Sequence, residues 1–333
     1  MSNAPQPARA EMAAMYETMV TSRKYEDMIK LAYLEGKMPV FDLTFGPIPG
    51  EMHLSTGQEP CAVAVCTHLT KDDWVVAPHR PHHIAIAKGV DLDRMTAEIF
   101  GRETGLGGGR GGHMHLSDPD VGFTSTGIVG QAIGIANGHA LAAQMQKSGA
   151  VSVGYIGEGG ANQGLFHETM NLAALWNLPL ICVIEDNRWG VSVAKEKSTA
   201  IARNSDRAVA YGCAGEHVAD NDVWAIYEAT HRAVARARAG EGPTILEIET
   251  IRLEGHFIGD TEEYVPQAER DSRKDPITVM GDRMMGDEGF TQSDLDEMQE
   301  RAGARVVAAE KFARDSAVAR AEDALTQVFV SAA

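Results

Sequence analysis

Apolar residues recur at helical spacing from Arg9 to Glu35, where Met12, Met15, Tyr16, Met19 and Val20 share one stripe and predict a long amphipathic helix. A turn-rich stretch with Pro39, Gly46, Pro47, Pro49 and Gly50 follows, then a short helix over Gln58 to His68. Trp74 to Ala77 reads as a short strand leading into a His-rich loop, Pro78 to His83, and Asp91 to Phe100 reads as a helix. A glycine run, Gly105 to Gly112, opens a loop that extends to Gly127. The middle is the most regular part. Gln131 to Gln146 predicts a small-residue helix, Val151 to Ile156 a buried strand, Leu165 to Trp176 a helix ended by Pro179, and Leu180 to Ile184 a second buried strand. Strand, helix and strand in that order form a βαβ unit with parallel strands. Val223 to Arg238 is a further helix, capped by Asp222 or Asn221 and closed by Gly240, and Thr244 to Ile251 alternates as a strand does. From Ser293 to Val330 the chain is polar-rich and helical.

These elements predict an α/β fold with one mostly parallel sheet flanked by helices. Residues 1–40 form an N-terminal helical arm, 41–275 the sheet domain and 276–333 a C-terminal helical extension. The 333 residues carry a net charge of −17, which excludes nucleic acid and an acidic membrane surface as partners. No apolar run approaches the roughly 18 residues of a membrane span, and the N-terminus has neither a secretory nor an organelle-targeting character. Cys61, Cys66, Cys182 and Cys213 lie in apolar or small-residue stretches without paired spacing, so they read as buried thiols of a cytoplasmic protein.

Candidate chemistry gathers beyond the two central strands. The first leads into Gly157-Glu158-Gly159-Gly160-Ala161-Asn162-Gln163-Gly164, the second into Glu185-Asp186-Asn187-Arg188-Trp189-Gly190. Ligands of open α/β sheets bind just beyond the C-terminal strand ends. The glycines let a ligand approach the backbone, and the helix after Gly164 aims N–H groups and its positive dipole end toward the same crevice. Glu158 and Asn187 offer oxygen ligands to a hard cation. The pattern reads as a metal–diphosphate site; an ordinary βα turn followed by an Asn turn is the bland alternative.

Gly157-Glu158-Gly159 followed at the right interval by Asn187 resembles the thiamine diphosphate and magnesium signature. The run "GANQGLFHETMNLAALWNLPLICVIEDNRWG" resembles the α subunits of the pyruvate, branched-chain 2-oxo acid and acetoin dehydrogenases. "HRPHHIAIAKGVDLDRMTAEIFGR" and "EGHFIGD" are most similar to the bacterial acetoin-type branch, and the resemblance spans Tyr16 to Pro276. It implies that Glu158, the Asn187 side chain and the Trp189 carbonyl hold Mg²⁺. Gly157, Gly159 and Gly160 would lie along the diphosphate, His79 and Arg80 would grip it, and the Gly127-Ile128-Val129 backbone would receive the aminopyrimidine ring. His53 and His256 match active-site histidines, His256 also reaching cofactor phosphate, with His82 a further catalytic candidate in the same loop.

By the same resemblance the enzyme cleaves acetoin or decarboxylates a short 2-oxo acid and passes the acyl unit to the lipoyl group of a partner acyltransferase. A separate β subunit completes the cofactor site in an α₂β₂ heterotetramer. Two positions depart from the family pattern: Glu158 stands where the family has Asp, and Phe257 where animal pyruvate dehydrogenases carry a phosphorylated Ser. The first leaves a second reading open, a metal-impaired α-like subunit kept for structure or regulation. A stand-alone thiamine lyase is disfavoured by chain length. Gly107 to Gly112 also satisfies G-x-G-x-x-G, yet it follows a helix rather than a strand, so a nicotinamide site lacks its context. His113 and His115 beside that run read as ordinary surface or core histidines.

Overall fold

The computed structural model describes residues 6–38 and 41–326. The strands among the described residues are β1 (Trp74–Ala77), β2 (Ser117–Asp118), β3 (Phe123–Ser125), β4 (Ser152–Gly157), β5 (Leu180–Asp186), β6 (Trp189–Gly190), β7 (Val193–Ala194), β8 (Ala214–Val218) and β9 (Thr244–Glu249). Its α-helices are α1 (Arg9–Leu34), α2 (Glu59–Cys66), α3 (His82–Lys88), α4 (Leu92–Ile99), α5 (Gln131–Gln146), α6 (Gly164–Leu175), α7 (Lys195–Ser198), α8 (Ala208–Tyr211), α9 (Val223–Arg238), α10 (Gln267–Ser272), α11 (Pro276–Asp287) and α12 (Gln292–Asp315).

Seven strands form one sheet in the order β2-β3-β1-β4-β5-β9-β8, parallel throughout except for β2. Period-two alternation sends successive side chains to opposite faces. Val75, Val153, Tyr155, Ile181, Val183, Leu246 and Ile248 therefore join a core with α1, α2, α4, α9 and α12. Val76, Ile156, Cys182, Ile184 and Ile245 join a second core with α5 and α6. Burial on both faces explains why β4 and β5 read as continuous apolar runs. The predicted helices at α5 and α9 carry the observed boundaries, and Asp222 rather than Asn221 caps α9, accepting from the Ala225 N–H. α1 and α12 pack together, with Gln299 donating to the Tyr16 hydroxyl and Arg301 paired with Glu17.

The structure corrects several expectations. The His-rich loop ends early, because α3 starts at His82 and buries Ile84 and Ala85. The long loop before Gly127 contains β2 and β3, too short to show a period. β8, which has no strand period in its sequence, is an edge strand of mixed polar residues recruited by pairing with β9. The C-terminal helix stops at Asp315, and the chain returns to pair Val318 with Arg102; residues 327–330 of the expected helix lie outside the described residues. Cys61, Cys66 and Cys182 are buried free thiols, whereas Cys213 is half-buried. Among the described residues no helix is long and apolar enough to cross a membrane.

Gly154 sits where α5 lies closest to β4: a Cβ there would fall 2.9 Å from the Ala136 Cβ and 3.0 Å from the Ile133 Cδ1. Gly154→Val is expected to destabilise the fold by about 1–3 kcal/mol, as overpacked cores do. A urea midpoint equal to that of the unsubstituted chain would contradict this packing.

Candidate active site

Parallel pairing puts the C-terminal ends of β1, β3, β4, β5 and β9 on one edge of the sheet. β1 and β4 are neighbours, but β3 lies beyond β1 and β5 beyond β4, so the strand order reverses there and opens a crevice. The chain leaves β1 as Pro78-His79-Arg80, β3 as Thr126-Gly127-Ile128, β4 as Glu158-Gly159, β5 as Asn187-Arg188 and β9 as Thr250-Ile251-Arg252. The loops after β3 and β4 touch: a Cβ on Gly160 would meet the Gly130 N and the Val129 Cγ1, both at 3.8 Å. Ile128 and Val129 themselves are 62% and 56% exposed, a large apolar surface left uncovered beside polar loops.

Glu158 and Asn187, predicted to cooperate, are adjacent. The Glu158 carboxylate is buried and has no ion-pair partner among the described residues. Burial, and then the neighbouring Asp186 carboxylate, push its pKa up to about 7; backbone N–H groups of Glu158 itself and of Asn187 partly offset this. The Asn187 side-chain oxygen accepts from the Trp189 N–H at 3.2 Å, and its amide faces the Gln58 carbonyl oxygen at 3.4 Å. Trp189 is anchored by its indole N–H on Glu269 at 2.7 Å, and the β6–β7 hairpin holds the turn. A cation at Glu158 would relieve an uncompensated buried charge, so the donor set fits a hard divalent ion. Asp186 is excluded from that role: Lys195 bonds it and Glu247 together.

The second cluster is imidazole and guanidinium. His53 lies in an extended segment tied to the loop after β9 by the Leu253 N–H on Thr56 and the Ile258 N–H on Met52, both 2.9 Å. Its ring centroid is 5.0 Å from His79, 5.1 Å from His256 and 5.4 Å from His113. Ring nitrogens of His53, His79 and His256 all fall within 4.8 Å of one another. Arg80 is buried, with Nη1 donating to the Leu54 carbonyl and Nη2 to the His256 carbonyl, both at 2.5 Å. Burial and then the adjacent Arg80 charge lower His79 to about 3 and His256 to about 4, and move His53 further in the same direction. The imidazoles are therefore neutral at physiological pH. Arg80 itself falls to about 9, through burial and Arg252, and stays charged. Three close imidazoles could ligate a metal, but Arg80 Nη2 lies 3.2 Å from His256 Nδ1, and its charge favours an anion.

His82 is placed differently from His53 and His256. It is fully buried, its Nδ1 3.0 Å from Glu26, and its ring contact with the cluster is to His113, with ring centroids 5.6 Å apart. His113, whose place beside the glycine run suggests an ordinary histidine, instead faces His53 with its Nε2 3.5 Å from Nδ1. Only tertiary folding brings the glycine run to this edge, so spacing alone carried no signal for it. The run holds no nucleotide phosphate, since the N–H groups of Gly107, Gly109 and Gly111 all bind Glu98.

The family profile described as "Dehydrogenase E1 component" matches residues 19–322. The α subunit of an acetoin:2,6-dichlorophenolindophenol oxidoreductase from Bacillus subtilis is 39% identical over 321 residues, covering 95% of this chain and 93% of that protein. The Cupriavidus necator protein of the same name is 35% identical, covering 96% and 94%. A chloroplastic pyruvate dehydrogenase E1 component subunit alpha-3 from Oryza sativa subsp. japonica is 34% identical, covering 96% and 76%.

A carboxyl whose folded pKa is raised holds a proton that the unfolded chain has lost, so it subtracts stability as pH rises through that window. For metal-free Glu158 the window runs from the ordinary glutamate value up to about 7. Glu158→Gln is expected to raise the melting temperature of the metal-free chain at pH 8 by roughly 3–8 °C and to leave it nearly unchanged at pH 4.5. Equal shifts at both pH values, read by scanning calorimetry, would show that the carboxylate is not an uncompensated buried charge.

Proposed function

Because the chain belongs to the dehydrogenase E1 component family, whose fold binds thiamine diphosphate, we propose that it is the α subunit of an enzyme that cleaves acetoin or decarboxylates a short 2-oxo acid such as pyruvate. The acyl unit then passes to the lipoyl group of a partner acyltransferase. The observation that carries this reading is the pairing of an unbalanced buried carboxylate, Glu158, with Asn187 across the tips of β4 and β5.

When bound, the cofactor would let the substrate's carbonyl carbon itself carry negative charge, so that the C–C bond adjacent to it can break. The residues of 41–275 supply the rest. Glu158, the Asn187 side chain and the Trp189 carbonyl are assigned to Mg²⁺. Gly157, Gly159 and Gly160 line the diphosphate, which His79, Arg80 and His256 grip. The backbone of Gly127, Ile128 and Val129 receives the aminopyrimidine, and exposure of the latter two side chains fits a surface that a β subunit covers. His53 and His256, neutral and at the crevice, are the groups for holding or moving a proton at the substrate. His82, the further catalytic candidate, is buried behind them, with its Nδ1 on Glu26 and its ring against His113. The working form is an α₂β₂ heterotetramer, and a cytoplasmic setting goes with the four unpaired thiols.

Calorimetric titration of the α–β complex with thiamine diphosphate, with and without Mg²⁺, tests the reading. Tight binding that needs the metal is expected, weakening as pH falls below about 7 because a protonated Glu158 cannot ligate. Glu158→Asp should still bind. Absence of binding by both forms would leave the non-catalytic α-like subunit as the better account. The chain alone should show no turnover against acetoin, pyruvate or 2-oxoisovalerate; full activity without a β subunit would refute the heterotetramer.

Arg80→Lys is expected to raise the cofactor Kd about tenfold or more, since an ammonium cannot reproduce the fork held by the Leu54 and His256 carbonyls. An unchanged Kd in the same titration would remove Arg80 from the diphosphate.

A further inference from the structure

Glu98, on the last turn of α4, is fully buried, and no cation pairs with it among the described residues. Its Oε2 accepts the N–H groups of Gly107 and Gly109 at 2.7 and 2.8 Å, and its Oε1 that of Gly111 at 2.6 Å. Three amides of one loop thus converge on a carboxylate of the same chain. Such a nest of N–H groups is a ready anion site, and here the protein fills it itself. A run with so many glycines has little tendency to order alone, because each loses more backbone freedom than any other residue on folding. Charge-assisted hydrogen bonds to one buried carboxylate supply the order instead. The fit admits no side chain at its closest point: a Cβ on Gly105 would fall 2.4 Å from Glu98 Oε2 and 2.6 Å from its Cα.

The loop is tied at both ends as well. The Ala319 N–H binds the Gly101 carbonyl and the Glu103 N–H the Ala317 carbonyl, both at 3.0 Å. Beyond the glycines, the Ser125 hydroxyl of β3 donates to the Met114 carbonyl at 2.9 Å and accepts the Leu116 N–H at 2.8 Å. Between these ties lies His113, buried, with its Nε2 toward His53 Nδ1. We propose that Glu98 is a positioning residue of the active site. It wraps the glycine loop into the one conformation that delivers His113 to His53, and His113 in turn fixes the orientation and tautomer of the His53 ring.

The catalytic half of this inference rests on the function proposed above; the positioning half stands on the loop alone. The full chain therefore serves for a first measurement that needs no turnover. Trypsin cleavage after Arg110, which is exposed, and diethyl pyrocarbonate labelling of His113 are followed by mass spectrometry, with His217 on β8 as the internal control. In Glu98→Ala both rates are expected to rise about tenfold or more, as local opening becomes cheap, while His217 labelling is unchanged. Rates equal to those of the unsubstituted chain would overturn the proposal. Should Glu98→Ala fail to fold, Glu98→Gln, which keeps one acceptor oxygen, is read by the same criteria.

The second measurement uses the α–β complex. Glu98→Ala and His113→Ala are each expected to lower kcat by about tenfold or more with cofactor Kd nearly unchanged. The double variant should fall no further than either single one, because both act through His53. Additive losses would show that Glu98 serves the fold and not His113. If the unsubstituted complex shows no turnover, the functional reading fails while trypsin and labelling still decide the role of Glu98.

Discussion

Parallel pairing of β4 with β1 on one side and β5 on the other is the constraint from which the rest follows. A parallel sheet must return each chain by a crossover, so every strand leaves by the same edge. Residues far apart in sequence, His79 after β1, Gly127 after β3, Glu158 after β4, Asn187 after β5 and Arg252 after β9, then share one rim without any contact specific to their own chemistry. The two-sided core holds the strands in register, and the polar tips can be functional because they contribute little to that core.

Electrostatics divides the rim into two complementary parts. One holds a buried carboxylate without a cation, the other a buried guanidinium encircled by neutral imidazoles without a hydrogen-bonded carboxylate of its own. Neither is comfortable by itself, since an isolated buried charge is costly. On the proposed reading, a divalent ion carrying a diphosphate would satisfy both at once, the metal at Glu158 and Asn187 and the anion toward Arg80. By contrast several other buried charges are satisfied within the chain: Lys195 pairs with Asp186 and Glu247, Glu26 with His82, and Glu98 accepts three amides of the glycine loop. Contrast with these satisfied networks is what makes the two unbalanced groups informative.

Elements with a strong period were legible from the residues alone. α5 and α9 show it, as do β4 and β5, whose apolar runs are bounded by glycine and proline. Elements that depend on a neighbour were not. β8 carries Glu216 and His217 and exists because β9 offers an unpaired edge; β3 is three residues long and forms by joining β1. α3 has only seven residues, and its start at His82 is set by packing of Ile84 and Ala85 under the sheet. The last helix kept its polar and apolar pattern past its true end, where the chain turns back to Arg102.

The sequence by itself determined the α/β class, the βαβ unit and which polar residues follow its strands, because each depends on local periodicity and on motifs carried within one segment. The tertiary structure alone decided that His113 joins His53, that His82 stands behind it on Glu26, and that the glycine run folds around Glu98 rather than a phosphate. The first two are contacts between segments tens of residues apart, and the third closes a loop onto a helix 9 to 13 residues before it; all are fixed by how α4, β1 and β3 pack, and no spacing along a chain encodes the distance between groups that meet only after packing.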